Sequence, residues 1–224
     1  MAADGSDVRV LTSGSGISEV PTWSPDGTWI AYDYSPTLPI DDSFHTVIYR
    51  IDADGSNQRL LGNPDTFDVE PRISPDGASV LFERLTFPDG NQTQVLTVRD
   101  LVSGEERDVA AAGNAVEHAN WSPDGTWIIY DVSGAMSDEV VDDQLERIAA
   151  DGAGEPVILL EGTPTQAAFK PWYSPDGSRI LFGCIGSKGD DAACLMDADG
   201  SSVEILIDEP RVDENHFSWG VAAR

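Results

Sequence analysis

The tetrapeptide Ser-Pro-Asp-Gly occurs four times, beginning at Ser24, Ser74, Ser122 and Ser174, at intervals of 50, 48 and 52 residues. A repeat of that period restricts the chain to architectures made of similar units leaning on one another. A second mark falls between the first. Ala-Asp-Gly ends at Gly5, Gly55, Gly152 and Gly200, and Ser103-Gly104 takes the remaining place. Both marks are turn chemistry. Pro presets φ, Gly accepts a positive φ, and the Asp carboxylate bonds to nearby amides.

Each unit reads alike. An apolar residue (Trp23, Ile73, Trp121, Tyr173) precedes the tetrapeptide, and a branched or aromatic run follows it: Trp29 to Tyr32, Val80 to Phe82, Trp127 to Tyr130, Ile180 to Phe182. After a variable, often acidic loop comes a second run: Val47 to Tyr49, Val95 to Val98, Leu145 to Ile148, Cys194 to Met196. Asp-Gly between such runs is a hairpin signal. Four short strands per unit are expected, and no helix; Val140 to Ile148 comes nearest to a helical period and fits a loop entering a strand equally well.

A four-stranded unit cannot bury both of its faces alone, whereas radial stacking does bury them. The expected fold is therefore all-β: a β-propeller of four-stranded antiparallel blades, with four full repeats and two half repeats. It amounts to about five blades if the termini close the ring. The repeat units run approximately over 14–62, 63–112, 113–162 and 163–209 in a single domain 1–224, with partial units at 1–13 and 210–224. A single large sandwich would not need such regular turns.

Charge narrows the function. Lys and Arg total 13 against 40 Asp and Glu, a net charge of −27. Such a surface repels nucleic acid and anionic lipid and attracts divalent cations or basic partners. No run of 18 apolar residues offers membrane insertion, and the N-terminus shows no signal-sequence pattern. The chain opens in the middle of a repeat.

The aromatic–Ser-Pro-Asp-Gly signature of Trp23 to Gly27, joined to Asp52-Ala53-Asp54-Gly55, resembles the TolB-type, WD-like repeat family, as does Asp197 to Gly200 after Ser174 to Gly177. The resemblance spans nearly the whole chain. It implies a β-propeller, commonly six-bladed, that works as an interaction module outside the cytoplasm, with a peptidoglycan-associated lipoprotein as partner of the best-known member. The chain departs from that member in lacking a separate N-terminal α/β domain and in having fewer repeats.

In a propeller the first strand of each blade lines the central channel. Three positions before the aromatic stand Val20, Glu70, His118, Lys170 and His216, with Asp68 and Glu117 close to two of them. A channel mouth of this composition is a candidate ligand site, and His118, His216 and Glu70 are candidate ligands for a divalent cation, the one cofactor the pattern admits. A TolB-like polysaccharide lyase family, which holds a metal in its propeller centre mainly through histidines, lends that idea precedent by resemblance. The competing reading is a structural or solvated role for the same side chains. The Asp of each tetrapeptide reads as a turn residue, because one carboxylate per blade cannot supply calcium's six to eight oxygens. The acidic loop tips Asp41-Asp42, Asp138-Glu139 with Asp142-Asp143, and Asp190-Asp191 are the more plausible cation contacts, although such tips are usually simply solvated. Cys184 and Cys194 bracket a turn and can bridge two strands, which suits an oxidising compartment.

No catalytic motif is present: Gly-x-Ser-x-Gly is not completed at Gly14-Ser15-Gly16, and a hydrolase triad would need a long additional segment. The expectation is a non-catalytic scaffold, periplasmic or extracellular, binding a protein or small polar ligand. Two alternatives are a metal-dependent carbohydrate lyase or hydrolase that uses the channel, and a shortened or engineered propeller without activity of its own. An incomplete ring would self-associate through its open edge.

Overall fold

Each Ser-Pro-Asp-Gly closes its turn with one repeated set of hydrogen bonds. The Ser24 amide donates to the Trp29 carbonyl at 2.9 Å, the Trp29 amide returns to Ser24 Oγ at 3.0 Å, and the Gly27 amide donates to the Ser24 carbonyl at 2.9 Å. Gly27 takes a φ of 68° there, a region that a side chain would disfavour. Asp26 Oδ1 accepts from Ser24 Oγ at 2.7 Å and from the Thr28 amide at 3.0 Å. Asp76, Asp124 and Asp176 repeat the pattern. The serine hydroxyl is the chief cause that lowers the pKa of all four, with Asp176 reaching about 2. These carboxylates are occupied in holding the turn.

The computed structural model describes residues 5–36, 46–87, 92–111, 115–133, 143–162, 167–187, 189, 191–207 and 219. Among them stand four antiparallel four-stranded sheets and no helix. The first sheet contains β1 (Ile17–Trp23), β2 (Trp29–Ser35), β3 (Val47–Asp52) and β4 (Arg59–Leu60). The second contains β5 (Phe67–Ile73), β6 (Ser79–Thr86), β7 (Thr93–Asp100) and β8 (Glu106–Ala111). The third contains β9 (Ala115–Trp121), β10 (Trp127–Ser133), β11 (Gln144–Ala149) and β12 (Val157–Leu160). The fourth contains β13 (Ala168–Tyr173), β14 (Arg179–Ile185), β15 (Asp191–Asp197) and β16 (Glu204–Ile207). Strands follow one another across each sheet in chain order, so every connection within a sheet joins neighbours. The first strands of successive sheets lie side by side at the centre, which is a propeller.

The core lies between blades rather than inside any one of them. Trp29, Ala31 and Ile48 of the first blade meet Ile73, Val80 and Phe82 of the second. Leu81, Leu96 and Val98 meet Ile128, Tyr130 and Ile148. Ile129 and Leu145 meet Phe182, Cys184 and Met196. In the second and third blades the second strand faces a neighbouring blade on both sides, and Leu81 and Ile129 are accordingly fully buried. That double burial explains why these strands read as unbroken apolar runs rather than as alternating ones.

Cys184 and Cys194 lie on adjacent strands β14 and β15 with Cα atoms 5.9 Å apart and form a disulfide, buried against the third blade. A Cys184→Ala/Cys194→Ala double variant is expected to lose about 2–4 kcal/mol of stability in oxidising buffer. Urea denaturation of the two proteins, with and without reductant, checks this. The wild type alone should respond to reduction.

Candidate functional site: the acidic inner ring

Each innermost strand carries one residue at positive φ: Val20 at 44°, Glu70 at 54°, His118 at 51° and Lys170 at 53°. These are the positions that the repeat aligns three residues before the aromatic. At each, the pairing of the first strand with the second slips by a β-bulge, between Glu19 and Thr22, Val69 and Arg72, Glu117 and Asn120, and Phe169 and Trp172. A bulge leaves its amide without a partner in its own sheet and turns it outward.

The preceding blade supplies the acceptor. The Glu70 amide donates to Asp33 Oδ2 at 3.3 Å, the His118 amide to Glu83 Oε1 at 2.6 Å and the Lys170 amide to Asp131 Oδ1 at 3.0 Å. Asp33, Glu83 and Asp131 each stand nine residues beyond the serine of their own tetrapeptide, and all three are buried. A carboxylate thus latches each blade to the next. Gly183 occupies the same place in the fourth blade, where the Phe169 ring fills the space that a side chain would need.

A second inter-blade network involves Arg72. Its Nε donates to Asn120 Oδ1 at 3.1 Å, its Nη2 pairs with Glu70 Oε2 at 3.2 Å, and its guanidinium faces the Trp172 ring at 5.5 Å. Asn120 in turn donates to the Pro171 carbonyl at 2.9 Å. Residues of the second, third and fourth blades are tied together this way.

Glu117, His118 and Asp131 form one group, with a ligand atom of each within 4.8 Å of the others. His118 Nδ1 lies 3.1 Å from Asp131 Oδ1. Gln94 Nε2 donates to Glu117 Oε1 at 3.4 Å, and the buried Gln94 Oε1 has no partner among the described residues. Glu70 stands apart from this trio, bound to Arg72. His216 lies outside the described residues, as do Asp41, Asp42, Asp138, Glu139, Asp142 and Asp190. Asp68 does not join the ring: it is fully buried and held by Arg84 Nε at 2.8 Å and Thr66 Oγ1 at 2.8 Å. The bulge at Glu70 separates the two, since residues two apart share a face only in a regular strand.

Electrostatics follow from packing acids together. Burial is the main cause raising the pKa of Asp33, and the negative charges of Glu19 and Glu70 add to it. Burial pushes Glu83 well above the usual carboxylate range, helped by Glu70, Glu117 and Asp131 and opposed by the His118 amide. For His118, burial works against the charged ring, but Asp131, with Glu70 and Glu117 nearby, outweighs it and raises the pKa.

Both kinds of shift tilt stability the same way. Glu83 holds its proton more tightly folded than unfolded, so stability falls as pH climbs from 4.5 toward the raised folded value. The His118 contribution is complete below 6.5 and disappears as pH climbs through its raised value. Glu83→Gln, which keeps an acceptor for the His118 amide, is expected to flatten the acid part of that fall. Glu83→Ala, which removes the acceptor, is expected to cost about 1–3 kcal/mol. Urea denaturation from about pH 5 to about pH 8 reads both effects.

A scan of family models finds no match. The chain is 27% identical over 201 residues to an uncharacterized peptidase, YuxL, of Bacillus subtilis, covering 77% of this chain and 30% of that protein. It is 29% identical over 135 residues to a protein TolB homolog of Chlorobium chlorochromatii, covering 60% of this chain and 28% of the homolog. The chain spans less than half the length of the curated relatives it matches. Among solved structures, TolB from Acinetobacter baumannii superposes with a TM-score of 0.70 at 22% identity, over 92% of this chain and 47% of that one. An oligogalacturonate lyase in complex with manganese superposes with a TM-score of 0.67 at 16% identity, over 88% of this chain and 55% of the lyase. Propellers with several different activities share this architecture.

Proposed function

We propose that this β-propeller, similar in fold to TolB, is a non-catalytic binding module, periplasmic or extracellular, whose inner ring receives a positively charged group of a protein or small polar ligand. The observation that carries this reading is the engagement of the ring's ionisable groups in blade-to-blade bonds. Asp33, Glu83 and Asp131 accept amides of the next blade, and His118 is bound to Asp131. General acid–base chemistry asks for a group poised to exchange a proton with substrate, and these groups hold the ring instead. Acids outnumber bases around the ring: Glu19 is exposed, Glu70 (paired with Arg72) and Glu117 are half-buried, and Lys170 is the half-buried base at the aligned position. Such a field favours a basic segment or an amine. The Cys184–Cys194 bridge fits an oxidising compartment.

The test is capture of basic partners from an envelope extract by the immobilised full chain, at low and high salt. A Glu70→Gln/Glu117→Gln variant is expected to lower capture at low salt about tenfold, in line with two attractive charges removed. Turnover of a carbohydrate or peptide substrate by the isolated chain contradicts the reading.

One observation favours a second reading, a divalent metal serving a carbohydrate-active enzyme. Two carboxylates and an imidazole suit manganese or zinc better than calcium, which wants more oxygens. Glu117, Asp131 and the His118 ring would hold the ion, which there supplies a Lewis acid. Asp131 already accepts from the Lys170 amide and sits beside His118 Nδ1, so an entering ion competes with the blade latch. Stoichiometric manganese in the purified chain, lost in His118→Ala, would establish this second reading. A metal-free protein whose partner binding is indifferent to chelator removes it.

A further inference from the structure

Successive Ser-Pro-Asp-Gly turns touch one another from blade to blade. A Cβ at Gly125 would meet Pro75 Cδ at 3.8 Å, and one at Gly177 would meet Pro123 Cδ at 3.7 Å. Beside each of these contacts a groove opens between blades. The groove between the second and third blades has a volume of about 290 Å³, and the groove between the third and fourth about 430 Å³. The larger is lined by Asp124, Trp127 and Arg147 from the third blade and by Tyr173 and Asp176 from the fourth. It lies apart from the inner ring, since Trp127 opens β10 and Asp131 stands toward the other end of that strand.

Three features distinguish the larger groove. The first is Arg147, which lies over the Trp127 ring at 4.7 Å and donates from Nη1 to the Ala198 carbonyl at 3.0 Å. The stack fixes the plane of the guanidinium. In a chain with 40 acids, no carboxylate stands at ion-pair distance from it among the described residues. The equivalent stack in the first blade, Arg50 over Trp29 at 4.1 Å, is spent on Asp52 at 3.3 Å. The second feature is Tyr173, which is 9% exposed and whose buried hydroxyl completes no hydrogen bond among the described residues. Burial raises its pKa, Arg147 opposes that rise and Asp124 adds to it, so both charges act on the hydroxyl. A buried hydroxyl left unpaired is costly. In the smaller groove the aligned residue is Trp121, whose Nε1 is satisfied by the Arg72 carbonyl at 3.0 Å. The third feature is a pair of half-used carboxylates. The turn bonds to Asp124 and Asp176 all land on Oδ1, which leaves each Oδ2 as an acceptor. The serine hydroxyls hold the pKa of both acids down, so both stay charged at neutral pH.

We propose that this groove binds a small basic amino acid of the lysine type. One guanidinium and two carboxylates line it, and a ligand with one carboxylate and two ammonium groups mirrors that set. The ligand carboxylate accepts from Arg147 Nη2 and from the Tyr173 hydroxyl, which it reaches through a small movement of the arginine above. The ammonium groups donate to Asp124 Oδ2 and Asp176 Oδ2. The smaller groove has the acids but no unsatisfied hydroxyl, and it serves as an internal control. This site is separate from the inner ring, and its test does not depend on what the ring binds.

Titration of the full chain with L-lysine, followed by NMR at the Trp127 and Trp121 indoles, tests this. A saturable shift at Trp127 is expected, with Trp121 unmoved. Tyr173→Phe removes only the hydroxyl, and it is expected to weaken lysine binding about fivefold without lowering the urea midpoint. A hydroxyl with a purely structural role would leave the affinity unchanged. Asp176→Asn keeps the Oδ1 acceptor of its turn, and it is expected to weaken binding about tenfold. Cadaverine, which lacks the carboxylate, and glucuronate, which lacks the ammonium groups, are expected to bind at least about tenfold more weakly than lysine. If Tyr173→Phe does not fold by circular dichroism, Arg147→Gln takes its place, with an expected loss of about tenfold or more. The absence of a saturable shift at Trp127 overturns the proposal. So does cadaverine or glucuronate binding as tightly as lysine, or a folded Tyr173→Phe variant with unchanged affinity.

Discussion

The hydrogen bond from a positive-φ amide to a buried carboxylate of the preceding blade is the constraint on which the rest of this propeller depends. Apolar packing between sheets is strong but indifferent to direction, and two flat faces can slide over one another. The latch fixes the slide. It joins a bulge on the innermost strand of one blade to the end of the second strand of the blade before it, and it recurs at Asp33–Glu70, Glu83–His118 and Asp131–Lys170. Its cost falls on Glu83, a buried carboxyl whose removal from water, together with crowding by Glu70, Glu117 and Asp131, raises its pKa.

That constraint shapes what the molecule can do. A ring of acids in a chain of net charge −27 suggests at first a cation trap. The innermost carboxylates already have amide partners, and His118 has Asp131, so the residues with the most chemical potential are those that hold the blades in register. On the proposed reading, binding falls to the charge carried around them by Glu19, Glu70 and Glu117.

The repeat and its strands were legible because turn chemistry is local. Ser, Pro, Asp and Gly bond within six residues of one another, from Ser24 to Trp29, and nothing distant alters that. The disulfide was legible for the same reason, since both cysteines flank one hairpin. The aligned positions Val20, Glu70, His118 and Lys170 stood out by register, but their left-handed backbone did not, because valine, glutamate and lysine are poor markers of positive φ. Asp33, Glu83 and Asp131 were hidden by their place at the ends of apolar runs, where an acid reads as the start of a solvated loop. A comparison at nine residues past each serine would have exposed them, together with the exception at Gly183. Asp68 was placed at the channel mouth by its closeness in sequence to Glu70, but the bulge at Glu70 and a cross-strand arginine, Arg84, that no local pattern announces draw it into the blade.

The latch is tested most directly by a pH titration that follows the backbone amide protons of Glu70, His118 and Lys170 by NMR. The account predicts that all three resonate far downfield. It also predicts that the His118 amide tracks the ionisation of Glu83 at a pH well above 4.5, and that this response is absent in Glu83→Gln. Amide protons at ordinary shifts, or a His118 amide that ignores Glu83, would contradict it.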